Sequence, residues 1–259
     1  GETADTLAAL KEAKKRGSHT LAIVNVVGSS IANAADDVIY TWAGPEIAVA
    51  TTKGYSTQLS VLYLFAVWAA RLLKTADNAR LDKIFDDILM LPELTERVIL
   101  AEPQIKEMAK HCGDPKSLFF IGRNIDYAVS LEASLKLKEI SYIHSEAYAA
   151  GELKHGTISL IEEGRTVIAL AAYEELFDKL LSNIKEVKAR GARVLACATV
   201  GHTEIAKEAE SVIYIPKIDP LLLASLEVVP FQLYAYYVAL YNGCDIDKPR
   251  NLAKSVTVE

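Results

Sequence analysis

The sequence predicts an α/β protein made of two copies of one unit, each a parallel sheet flanked by helices. Three observations carry that expectation: an internal repeat, apolar strand-length runs that alternate with helical patterns, and glycines that close the helices. Residues 11–17 (KEAKKRG) return at 185–191 (KEVKARG), so Lys11 falls on Lys185 at an offset of 174 residues. The same offset carries Leu21 onto Leu195, Ile31 onto Ile205, Val38-Ile39-Tyr40 onto Val212-Ile213-Tyr214, and Gln58 onto Gln232, without a gap. Chance matches do not hold one register over 50 residues.

Each copy opens with a helix (5–16; 174–190) that ends at Gly17 or Gly191, the usual punctuation of a helix C-terminus. A short apolar strand follows (20–26; 193–198), then a second (37–41; 211–215), and a long buried helix closes the copy (52–73; 221–241). Between the copies, residues 75–111 carry charged faces around apolar stripes and read as connecting helices. The second copy has more at its front: a strand at 117–122, a helix at 125–143 and a strand at 165–172. Counterparts of these in the first copy would precede Gly1, so the first domain is expected to be N-terminally incomplete. The expected division is residues 1–110, with the connecting helices, and 111–259, with a functional C-terminal tail.

With 259 residues, 51% of them hydrophobic and 24% charged, the chain can bury a sizeable core and is not disordered. A net charge of −6 argues against a broad basic footprint for nucleic acid or anionic lipid. Cys112, Cys197 and Cys244 are odd in number and unpatterned, which suits a reducing cytoplasm, and Cys197 reads as a buried small apolar residue. The uncharged stretch 55–70 falls short of the roughly 20 residues of a bilayer span, and 228–244 is interrupted by Pro230. A soluble, cytoplasmic protein without a signal peptide is expected.

Four places could carry chemistry. Residues 1–6 (GETADT) open a helix beside a strand end, where Thr3, Thr6 and free N–H groups suit a phosphate; an ordinary Thr N-cap is the alternative. The corresponding turn of the second copy, 171–175 (AAYEE), has no hydroxyl apart from tyrosine and two carboxylates, so one live pocket and one structural copy are expected. Lys136 and Glu139 share a helix face, where an ammonium would keep a carboxylate ionised and able to act as a base, unless they form a surface ion pair. His155 lies in a polar loop (149–156) and could transfer protons, or could be solvated. Lys254 sits in a tail whose Leu252, Val256 and Val258 suggest packing. A desolvated lysine there would be a Schiff-base nucleophile for a carbonyl, and a free tail lysine would be solvated. His144 and His155 have no metal-ligand spacing, and neither metal nor cofactor is expected.

These segments, and the runs LAIVNVVGSSIA, AGPEIAVATTK, LKLKEISYIHSEAYAAGELKHG and PRNLAKSVTVE, closely resemble the isomerase half of the glucosamine-6-phosphate synthase family, which is built from two sugar isomerase (SIS) domains. The resemblance covers nearly the whole chain. It implies that Lys254 forms an imine with fructose 6-phosphate, that ammonia displaces the lysine, and that Glu139, supported by Lys136, moves a proton between C1 and C2 to give glucosamine 6-phosphate. It also implies that His155 opens the sugar ring from the partner subunit of a homodimer. Thr3, Val49, Thr51 and Ala253 are implied as substrate-binding positions. The family's Ser-Gln-Ser before the position of Gly1 and its glutaminase domain are not in this sequence, so ammonia is expected from another domain, a subunit or solution. Thr51 stands where serine is commoner, and Thr157 where proline often follows His-Gly. A non-catalytic sugar-phosphate-binding module and a plain phosphosugar isomerase are the alternatives.

Overall fold

A computed structural model describes residues 1–110, 112 and 117–255. The chain forms two compact units, one of Gly1–Phe85 with tail residues 247–255, the other Asp86–Ile246. The dividing line falls within helix α4 (Asn78–Ile99) rather than after residue 110. The tail belongs to the first unit because the Val49 N–H donates to the Asp247 carbonyl at 2.9 Å and Lys254 is bound there too.

The first unit contains α1 (Ala4–Lys15), β1 (Leu21–Val24), the short α2 (Ser30–Ala34), β2 (Asp37–Tyr40) and α3 (Lys53–Leu73). β1 and β2 pair in parallel, and Ala22, Val24, Ile31 and Ala32 form a small core under Leu7, Leu10 and Val38. The second unit holds α5 (Glu102–Lys110), β3 (Leu118–Gly122), α6 (Ile125–Ser141), β4 (Ser145–Ala149), β5 (Thr166–Ala171), α7 (Phe177–Lys188), β6 (Arg193–Thr199), β7 (Ser211–Ile215) and α8 (Leu223–Tyr241). Its five strands are all parallel in the order β4-β3-β5-β6-β7. β3 and β5 are buried along their whole length, as a sheet covered on both faces requires. α7 buries Phe177, Leu180, Ile184 and Val187, spaced by three and four residues, onto that sheet. Each such apolar side chain contributes roughly 1.5–3 kcal/mol by leaving water. Gly122 lets β3 turn directly into α6: a Cβ there would lie 2.5 Å from the Asp126 carbonyl.

The duplication is visible in the strand pairing. Leu21 faces Asp37 in the first unit and Leu195 faces Ser211 in the second, so both partners move by the repeat offset and the register is the same.

Four expectations need correction. Only Val67 of α3 is buried, whereas Leu62, Phe65, Trp68 and Leu72 are exposed. α8 is largely buried because α6 and α5 pack on it, and the first unit has no counterpart of these helices among its described residues. Pro230 does not interrupt α8, which runs through it, with Phe231 meeting Phe120 edge to face at 5.9 Å. Both α3 and α8 are long and apolar enough to span a bilayer by length and composition alone. Finally, β4 (SEAYA) is an edge strand that the sequence reading passed over, because it is short and carries polar residues. Val256 and Val258 lie outside the described residues.

Candidate functional site

In the first unit a cavity of about 1220 Å³ opens beside the ends of β1 and β2. Thr3 is the N-cap of α1, yet its side chain makes no capping bond. Its hydroxyl and that of Thr6 line the cavity, beside the free N–H groups of the helix start. Glu2 also lines it, but its carboxylate is occupied by the Ser30 N–H at 2.9 Å and Ser30 Oγ at 2.5 Å, bonds that hold it below the usual carboxylate range.

The opposite wall is the loop between β2 and α3. Asn25, just after β1, fixes it: Asn25 Oδ1 accepts from Thr41 Oγ1 (3.1 Å) and the Ala43 N–H (2.9 Å), and Nδ2 donates to the Gly44 carbonyl (2.7 Å). Gly44 adopts φ +70°, which its missing side chain permits. The loop delivers Glu46. Glu46 Oε1 accepts from the N–H groups of Thr52 (3.0 Å) and Gly54 (3.2 Å) at the start of α3, and Oε2 lies 2.9 Å from Lys254 Nζ. Burial pushes the Glu46 carboxyl up, but the Lys254 ammonium and the two N–H groups outweigh it and the net shift is downward. Lys254 Nζ also donates to the Ala48 carbonyl at 2.8 Å and Thr51 Oγ1 at 3.4 Å.

Lys254 is therefore not a free tail lysine, although its side chain is 40% exposed: three acceptors hold it in the cavity wall. Thr51 lines the cavity with it. Val49 and Ala253 are not lining residues, and the Val49 N–H is spent on Asp247. Glu46 and Asn25 escaped the sequence reading. Glu46 caps a helix from six and eight residues away, which no local spacing rule reveals, and Asn25 resembles any polar residue after a strand.

In the second unit, Lys136 Nζ lies 2.6 Å from Glu139 Oε2 and 3.5 Å from Glu132 Oε1, along one face of α6. The Lys136 side chain is only 6% exposed, so this is not a solvated surface pair. The 2.6 Å contact is an ionic one whose angle leaves the buried Glu139 Oε2 without a directed hydrogen bond. Burial raises the Glu132 carboxyl despite the neighbouring ammonium. His155 is exposed and ends a single 3₁₀ turn after β4, while His144 approaches Glu146 at 3.5 Å. Cys197 is fully buried on β6.

The second unit also contains a buried acid pair. Asp126, at the start of α6, accepts from the Tyr173 N–H at 3.1 Å, where β5 ends. Glu227 of α8 is fully buried and hydrogen-bonds Asp126, with no other partner among the described residues. An internal carboxyl thus occupies the turn that in the first unit faces the open cavity.

Comparison with known proteins agrees with this architecture. The SIS domain family matches residues 1–68 and 113–241. The glutamine–fructose-6-phosphate aminotransferase [isomerizing] of Clostridium tetani is 57% identical over all 259 residues, and that of Methanosarcina mazei is 51% identical. The chain spans 43% and 42% of the length of those two relatives, so the likeness is to their isomerase part. The solved C-terminal domain of glucosamine-fructose-6-phosphate aminotransferase from Francisella tularensis superposes with a TM-score of 0.91 at 33% identity, covering 96% of this chain and 71% of that one. The repeat, the shared strand register and these matches lead to one conclusion: the chain belongs to the SIS domain family.

Proposed function

We propose that this chain is the sugar-phosphate isomerase part of an enzyme that aminates fructose 6-phosphate to glucosamine 6-phosphate. The observation that carries the reading is Lys254, a tail lysine held by three acceptors in the wall of a cavity that also exposes the hydroxyls and free N–H groups of a helix N-terminus. The names of the relatives support it. Thr3, Thr6 and the start of α1 suit the phosphate, since unpaired N–H groups and the helix dipole favour an anion.

In this reading Lys254 condenses with the C2 carbonyl and releases water, and ammonia then displaces the lysine to leave the C2 imine of the sugar. Glu139, kept ionised by Lys136, takes a proton from C1 and returns one to C2. His155 opens the sugar ring. Val49, Thr51 and Ala253 complete the substrate contacts. Ammonia comes from a glutaminase domain or subunit, and the working form is a cytoplasmic homodimer. A plain isomerase would need Glu139 but would have no use for three acceptors on Lys254.

The test is formation of glucosamine 6-phosphate from fructose 6-phosphate and ammonium chloride. Product from the parent and none from Lys254→Arg is expected. Interconversion of fructose and glucose 6-phosphates that Lys254→Arg leaves intact would favour the plain isomerase.

A further inference from the structure

Among the described residues Glu46 is the one contact of Lys254 that carries charge, and its two oxygens face different ways. Oε1 is tied to the first turn of α3 through Thr52 and Gly54, and Oε2 is tied to the lysine. The carboxylate thus transmits the position of a rigid 21-residue helix to the end of a flexible tail side chain. Its side chain is 13% exposed, against 40% for that of Lys254, so the carboxylate is the fixed and better covered half of the contact. The neighbouring charges are engaged elsewhere. Glu2 is bound by Ser30, Lys53 donates to the Pro45 carbonyl at 2.5 Å, and Asp247, Lys248 and Arg250 have partners of their own.

We propose that Glu46 seats the Lys254 amine for condensation with a ketose and carries its proton through that step; this rests on the reading of Lys254 as the imine-forming residue. Nζ must give up one proton before it attacks C2, and Glu46 Oε2 at 2.9 Å is in place to accept it. As the N–C bond forms, the C2=O π bond opens onto its oxygen, which takes a proton from the nitrogen to give a neutral carbinolamine. Glu46 returns the proton to the departing hydroxyl, water leaves, and the nitrogen becomes a protonated imine. The ammonium and the protonated imine carry the same charge on the same nitrogen, so the carboxylate has a cationic partner before and after condensation. The lysine also offsets the Glu46 charge in the cavity wall, which would otherwise repel a phosphate.

Glu46→Gln tests this, because an amide oxygen can still cap α3 while its NH₂ group cannot accept from Lys254. The first readout needs no sugar: limited acetylation with acetic anhydride, with each lysine quantified by peptide mass. Lys254 is expected to label about fivefold faster or more in Glu46→Gln, with the other lysines unchanged. The second is borohydride trapping with fructose 6-phosphate, where the trapping rate is expected to fall about 10–100-fold with little change in the concentration of sugar needed for half-saturation. Glu46→Asp, which keeps the charge but shortens the reach, is expected to recover part of that rate. It also serves as the second variant should the amide prevent folding. Unchanged Lys254 labelling in both variants, or equal trapping rates in parent and Glu46→Gln, overturns the proposal. Absence of any adduct in the parent overturns the reading of Lys254 instead, and the labelling result then still decides whether Glu46 seats the amine.

Discussion

Glu227→Gln should flatten the pH dependence of stability. Glu227 is 0% exposed and Asp126 is 1% exposed, and they face each other across α8 and α6. Burial pushes both carboxyls up, and Asp126 raises Glu227 further, whereas the N–H groups of Tyr173 and Ala172 and the hydrogen bond from Glu227 favour charge on Asp126. The pair therefore holds a proton more tightly than free carboxyls do, with Glu227 donating to Asp126. The Cys197 thiol on β6, which feels both acids, is itself pushed up by burial and by them. In the unfolded chain both carboxyls lose their protons near pH 4. Because the folded value lies above the unfolded one, this contribution to stability is fully present below about pH 4 and is lost as pH rises. Each pH unit costs about 1.4 kcal/mol for every proton that the folded state retains and the unfolded state has lost. Over two pH units in which one such proton is retained, the difference amounts to about 3 kcal/mol, or about 6–12 °C in melting temperature for a unit of this size. Glutamine keeps the shape and an N–H donor for Asp126, so the variant should lose most of that slope. Thermal unfolding followed by circular dichroism, at matched ionic strength between pH 5.5 and 8.5, gives the two profiles. Equal slopes in parent and variant would refute the shared proton.

Other substitutions probe the remaining parts of the account. Glu139→Gln should still trap sugar on Lys254 but exchange hydrogen between C1 and C2 about 10²–10⁴-fold more slowly, read by deuterium uptake; unimpaired exchange removes Glu139 as the base. Lys136→Met leaves Glu132 and Glu139 as unpaired, partly buried acids and should cost about 2–4 kcal/mol in urea unfolding at pH 7, whereas a neutral or stabilised variant would mean that the ion pair is only superficial. Gly122→Ala places a Cβ 2.5 Å from the Asp126 backbone and should cost about 1–3 kcal/mol, read as a lower melting temperature.

The repeat was legible because duplicated strands keep their partners: Leu21 with Asp37 and Leu195 with Ser211 repeat one register, and an offset in sequence becomes an offset in pairing. The buried parallel strands β3, β5 and β6 announced themselves as apolar runs, since both their faces are covered. β4 did not, because an edge strand with Ser145 and Glu146 lacks that pattern. α3 has the composition of a core helix, but burial depends on what packs against a helix, and composition does not report that. At the site, the types and spacing of Lys136 and Glu139 were enough to pair them, since helix geometry is local. Lys254 could be suspected from its tail, but Glu46 could not. The two are 208 residues apart, and only folding brings the carboxylate, the start of α3 and the lysine together.

The most direct measurement is borohydride reduction of the chain with fructose 6-phosphate, followed by peptide mass mapping. The account predicts a hexose-phosphate mass on the peptide that carries Lys254 and no adduct in Lys254→Arg. An adduct on other lysines alone, or none at saturating sugar, would contradict it.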